Sequence, residues 1–143
     1  MPHWPFTSVV AHGKDESSLA VPLAEVAAKL DVQVLPDPEP DRNLFVRSDQ
    51  YSFIREGVPA LFFKFGYTPG SEEQKVFNQW LSERYHAPSD DLAQQPVDHG
   101  GAARFITFLT ALTNAVAGVP GRPCWNDDSF FRRFARPAQA AAP

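Results

Sequence analysis

The sequence has one cysteine in 143 residues, Cys124, which excludes an intrachain disulfide and any Cys-x-x-Cys metal site. No apolar run is long enough to span a bilayer, so no membrane partner is expected. Basic charge is scarce and scattered. The cluster Arg132, Arg133 and Arg136 is short and close to the C-terminus, the net charge is −4, and the pI is near 5.5. No nucleic-acid partner is expected from that balance. The opening Met-Pro-His-Trp-Pro-Phe lacks the charged and apolar regions of a signal peptide. No Gly-x-Ser-x-Gly elbow occurs, which leaves a serine hydrolase using Ser48 as a weak reading. There is no internal repeat.

Apolar and aromatic residues, by contrast, are plentiful: 43% hydrophobic content with 12 Phe and 3 Trp. This is the composition of a globular domain with an aromatic core, an aromatic cleft, or both. The pattern predicts a strand over Ser8–Ala11 and a helix over Leu19–Leu30 capped by Ser17 or Ser18. A short strand at Val32–Leu35 follows. The stretch Pro36-Asp37-Pro38-Glu39-Pro40-Asp41 reads as a rigid connector, with a stiff rim beside a site as the sharper alternative. Ser48 or Asp49 caps a short helix carrying Tyr51, Phe53 and Ile54 and ending at Gly57.

Ala60–Phe65 is the strongest strand, apolar enough to be covered on both faces. A helix over Glu72–Arg84 buries Val76, Phe77, Trp80 and Leu81. The longest helix, about Ala102–Ala117, presents Phe105, Phe108, Leu109, Leu112 and Val116 on one face. The order predicts an α/β domain with a partial mixed sheet flanked by helices. Residues 1–119 form its body. Residues 120–143 form a tail in which Trp125–Phe131 docks back as a short helix and the residues from 138 onward fray. Three strands leave two open sheet edges, which a partner chain or a second copy should cover.

The chemistry concentrates at Tyr85-His86-Ala87-Pro88-Ser89-Asp90. Neutral imidazole is a common metal ligand, a phenol can donate to a developing oxyanion, and a carboxylate four residues on can orient the ring. A catalytic zinc takes about three protein ligands, however, and this segment offers one imidazole. The residues alone leave open whether His86 is a ligand or an ordinary loop histidine. His12, with Asp15 and Glu16 near it, is a possible companion. His99 fits the first turn of a helix better than a metal site. Asp49 reads better as a cap than as a catalytic acid, and Cys124 as a small packed residue.

In their order and spacing, four stretches resemble the dinuclear-zinc aminopeptidases of metallopeptidase family 28. They are His12-Gly13-x-x-x-Ser17-Ser18-Leu19, Pro36-Asp37-Pro38-x-Pro40 through Arg47-Ser48-Asp49-Gln50-Tyr51-Ser52-Phe53, Gly57-Val58-Pro59-Ala60-Leu61-Phe62, and Tyr85-His86-Ala87-Pro88-Ser89-Asp90. The likeness is to the C-terminal half of that phosphorylase/hydrolase-like domain and runs from Val9 to Phe134. It implies His86 as a zinc ligand and Tyr85 as donor to the substrate carbonyl and its oxyanion. It also implies Ser48, Asp49 and Asp90 as supporting residues, and a peptide substrate. Gln50 stands where the family often has histidine, so no ligand role carries over there.

The family's His-x-Asp, its Glu-Glu pair with the general base, and its further Asp have no counterpart before Val9. Glu72-Glu73 lies on the wrong side of the Ser-Asp block to replace the pair. The resemblance therefore implies part of a zinc exopeptidase that uses two zinc ions when complete. The isolated chain is expected to be inactive and to bind zinc weakly or not at all. Phe63, Phe65, Tyr67 and Trp80 are candidates for an apolar side-chain pocket. The alternative is a non-catalytic peptidase-like module for binding or assembly. Relatives are commonly secreted or periplasmic, so localisation stays open.

Overall fold

An unbroken apolar run at Val9, Val10 and Ala11, buried throughout, suits the first strand, β1 (Ser8–His12), to the centre of the sheet. In the computed structural model, which describes residues 3–93 and 96–136, β1 pairs in parallel with β2 (Gln33–Leu35) and antiparallel with β3 (Phe62–Phe65). The strand order is β2-β1-β3, so the sheet is mixed. A parallel pair needs a crossover, and α1 (Ala20–Lys29) supplies it. Three more helices follow: α2 (Gln50–Arg55), α3 (Glu72–Glu83) and α4 (His99–Gly118).

Alternation along β1 divides the molecule. Val9 and Ala11 point into the main core with Leu23, Val26 and Ala27 of α1 and Phe108 and Leu112 of α4. Phe6, 1% exposed, is wedged among Phe65, Phe105 and Phe108 with ring centroids 5.0–5.6 Å away. Val10 and His12 face the opposite side. Gly101 lets α4 close on the N-terminal segment, because a Cβ there would lie 2.6 Å from the Trp4 carbonyl oxygen. A second cluster of Ile54, Trp125 and Phe131 ties α2 to the tail.

Several expectations need correction. Neither Ser17 nor Ser18 caps α1: Leu19 occupies the cap position in a helical conformation, with no side-chain cap. Ser17 is fully buried, and the Ser18 hydroxyl accepts from the Cys124 N–H (3.0 Å). Asp49 does precede α2, but its side chain makes no capping bond. Among the described residues β3 is an antiparallel edge strand, half-buried except at Phe65 rather than fully covered. Of the apolar face expected on α3, only Phe77 is buried. Cys124 is exposed rather than packed. The tail docks through a 3-10 turn at Phe130–Phe134, not a helix over Trp125–Phe131. Residues 138–143, expected to fray, lie outside the described residues.

Candidate functional site

Helix α3 begins at Ser71, whose hydroxyl accepts from the Gln74 N–H, and its N-terminal Glu72 and Glu73 suit the positive end of the helix. Glu73 is held below its usual range by its own backbone N–H and the Ser71 hydroxyl. This pair therefore opens a helix, as its sequence position predicts. Rings at Phe77 and Trp80, three residues apart, stack along one face (centroids 6.0 Å). The ladder continues to Tyr67 on one side (5.4 Å from Phe77) and Tyr85 on the other (4.8 Å from Trp80).

After α3 the chain turns through Arg84–Ala87, closed by the Ala87 N–H donating to the Arg84 carbonyl (2.8 Å). His86 takes the third position with φ of 60°, a left-handed conformation that costs an L-residue free energy. Its ring stacks on Tyr85 with centroids 3.8 Å apart. Both residues are exposed, Tyr85 by 46%. Asp90 Oδ1 accepts a hydrogen bond from the Trp80 indole N–H (3.0 Å) and so fastens the loop to α3. A strained, exposed imidazole on a tethered turn is the kind of feature found at functional sites.

Ser48 and Asp49 stand at the start of α2. They lead into α2, which packs on the 3-10 turn Leu44–Val46 and on Phe130–Phe134. No hydrogen bond or ion pair joins either residue to Tyr85 or His86. Gln50 is committed to backbone, donating from Nε2 to the Phe45 carbonyl (2.6 Å). His99 is the first residue of α4, behind the capping carboxylate of Asp98, as its position predicts.

His12 pairs with neither Asp15 nor Glu16. Its Nδ1 lies 3.3 Å from Asp37 Oδ2, and its ring stacks on Phe62 (5.4 Å). Burial, reinforced by the charge of Lys64, holds its pKa below the ordinary value against the opposing pull of Asp37. Beside it, Glu39 holds Arg42 (2.9 Å) and lies 3.6 Å from Lys64 Nζ. Burial lowers the pKa of Lys64, and its ammonium sits 4.3 Å above the Phe77 ring. Burial and the nearby Glu39 charge push Tyr67 up to about 12. His12 Nε2 and the Tyr67 hydroxyl have no hydrogen-bond partner among the described residues. The Pro-rich loop is thus more than a connector, because it brings Asp37 and Glu39 to this buried group. Sequence reading missed the cluster. Its one signal is Lys64, the sole charge in the run Leu61–Phe65.

A cavity of about 560 Å³ lies between β3, α3 and the start of α4. Phe63, Phe65 and Trp80 line it as expected, joined by Tyr85 at the His86 turn. Tyr67 does not line it; it is buried against Phe77.

The sequence profile of Peptidase family M28 matches residues 4–112, which is more than half of the chain, and the chain belongs to this family. No curated protein and no solved structure matches it significantly. The fold and the family agree on a zinc-type peptidase domain. Among the described residues, however, no three His, Cys, Asp or Glu side chains come together to hold a metal ion. His86 is one imidazole stacked on a phenol, and the buried His12 is tied to Asp37. These residues do not by themselves fit a catalytic zinc, which takes about three protein ligands.

Proposed function

We propose that this chain is the part of a zinc-dependent aminopeptidase-type exopeptidase that supplies the His86 imidazole as one metal ligand and the Tyr85 phenol as an oxyanion donor. The reading is carried by one observation. Within the family-matched segment, an exposed histidine in a strained left-handed conformation stacks on a tyrosine that also walls an apolar cavity. In this reading the cavity takes an apolar portion of the peptide, and the aromatic ladder from Tyr67 to Tyr85 stiffens its wall. Tyr85 meets the substrate's carbonyl oxygen, while Asp90 keeps the loop in place through Trp80. Ser48 and Asp49 support the site from the start of α2.

In this reading the isolated chain hydrolyses nothing, because a single exposed imidazole holds zinc weakly and no group of three His, Cys, Asp or Glu side chains comes together among the described residues. The test is titration of the purified 143-residue chain with zinc, followed by NMR at the histidine rings and by an assay for aminoacyl-anilide cleavage. Weak binding at His86 that disappears in His86→Ala, with no cleavage, is expected. Tight stoichiometric zinc that survives His86→Ala overturns the ligand assignment. Cleavage by the wild-type chain overturns the inactivity.

A further inference from the structure

His12 is the only titratable residue of β1, and it lies inside the molecule, 6% exposed. Its side chain leaves the strand opposite Val9 and Ala11, away from the main core. There the ring stacks on Phe62 of β3 (5.4 Å) and meets the loop after β2, whose Asp37 Oδ2 lies 3.3 Å from Nδ1. A carboxylate only accepts, so the neutral ring keeps its proton on Nδ1 and presents Nε2 as a bare acceptor. Nε2 is buried and has no hydrogen-bond partner among the described residues.

The charges around the ring balance only while it is neutral. Asp37 and Glu39 face it from the loop and Lys64 from β3; Arg42 joins the set through Glu39 (2.9 Å). Glu39 also lies 3.6 Å from Lys64 Nζ. Two carboxylates thus stand against two cations. A proton taken up by His12 adds an uncompensated positive charge. It also turns Nε2 into a buried donor with nothing to receive it, an unfavourable state for a group out of water. Burial, with Lys64, accordingly holds the ring's pKa below its ordinary value although Asp37 and Glu39 pull it up.

Relief lies in the loop rather than in the sheet. No residue from 36 to 49 is fully buried, and neither 3-10 turn within it, Pro40–Arg42 or Leu44–Val46, buries a side chain. Segments of this kind open at low free energy, whereas the core on the other face of β1 is closed by α1 and α4. Phe45 pins the far end of the loop, edge-on against Phe131 (5.2 Å). The near end, residues 37–43, is fastened to the sheet by Asp37 at His12 and by Glu39 at Lys64.

We propose that His12 is an acid-sensitive latch: a proton on its ring releases residues 37–43 from β1 and β3 while the sheet and the main core stay closed. Once the segment lifts, Nε2–H reaches water and the ring titrates near pH 6.5 like a free histidine. Opening therefore grows as pH falls below 6.5 and stops growing at the pKa of the closed state. The latch involves neither His86 nor a metal, so its failure and the failure of the zinc-ligand reading are separate results.

The test is amide hydrogen exchange of the purified full chain at about pH 7.5 and about pH 5.5, on either side of a free histidine's pKa, expressed as protection relative to the free-peptide rate at each pH. Protection at Glu39, Arg42 and Asn43, whose N–H groups donate within the segment, should fall about two- to tenfold at the lower pH. That fall should be the same with and without about 1 M urea, because lifting one segment exposes little surface; exchange at Phe108 and Leu112 in the core should quicken with urea. His12→Gln should abolish the pH response. Lys64→Met removes one of the two cations, so a protonated His12 then completes the balance and the response should shrink below about twofold. Four outcomes overturn the proposal: protection at 39, 42 and 43 that is flat with pH, protection there that falls with urea as it does at Phe108, a pH response that survives His12→Gln, or one undiminished by Lys64→Met.

Discussion

His86 stacks on Tyr85 with ring centroids 3.8 Å apart, at the tip of a turn where His86 holds a φ of 60°. A left-handed conformation costs an L-residue roughly 1–2 kcal/mol, and glycine escapes that cost. Glycine also loses more conformational entropy on folding, by about 0.5–1 kcal/mol. Stability of His86→Gly should therefore be unchanged or raised by up to about 1.5 kcal/mol, while every zinc-dependent change at the ring is lost. Urea denaturation of the two proteins checks it. A variant destabilised by more than about 1 kcal/mol would mean that the imidazole is there for packing.

Folded His12 resists protonation, and this sets a direction for stability against pH. In the unfolded chain a histidine protonates near pH 6.5; in the fold, burial and Lys64 hold its pKa lower. Below pH 6.5 the unfolded state therefore binds the proton first and gains on the native state. Stability should be at its plateau above about pH 6.5 and fall as pH drops towards the folded pKa. Repeating the denaturation series with His12→Gln should remove that part of the slope. An unchanged slope would mean that groups other than His12 set the acid sensitivity.

Gly13 follows His12 with φ of 83°, and a Cβ there would lie 2.3 Å from the Phe45 ring and 2.9 Å from the Ala60 carbonyl oxygen. Gly13→Ala combines backbone strain with a clash against a ring and a backbone atom. The loss should be about 2–5 kcal/mol, visible as a lower urea midpoint. Gly70→Ala is the control: its φ is also positive, but its added Cβ meets nothing within 4 Å, so it should show strain alone.

What the sequence discloses follows the range of the forces involved. β1, α1 and β2 are legible because their apolar spacing is local and their lengths suit a crossover unit. The direction of β3 is not, since a run such as Phe62–Phe65 looks the same in parallel and antiparallel pairing. The partnership of His12 with Asp37 is equally silent, because it depends on where a proline-rich loop travels after β2. Ser17 and Ser18 illustrate the same limit. Their position suggests a helix cap, but long-range bonding to Cys124 and burial under the tail take precedence. Tyr85 and His86 are recognisable as a pair, yet their stacked geometry depends on the left-handed turn, which sequence does not announce at a histidine.

The family match ends at residue 112, but the chain beyond it is built into the fold. Trp125 is 6% exposed, donates its indole N–H to the Gly57 carbonyl (3.2 Å), and packs with Ile54 and Phe131. Asn126 Nδ2 donates to the Asp15 carbonyl (2.8 Å), and the Ser129 hydroxyl donates to Glu16 (2.6 Å). These bonds hold the loop between β1 and α1, so loss of the anchor should be felt far from the tail itself. Trp125→Ala removes a large buried ring and leaves the Gly57 carbonyl unpaired, at a cost of about 3–5 kcal/mol. Ser129→Ala removes one hydroxyl and should cost about 1 kcal/mol. Urea denaturation of both variants, with amide exchange at residues 13–18, checks the ranking. A Trp125→Ala loss below about 1 kcal/mol would mean that the tail is an appendage, and amide exchange at 13–18 should then stay as slow as in the wild type.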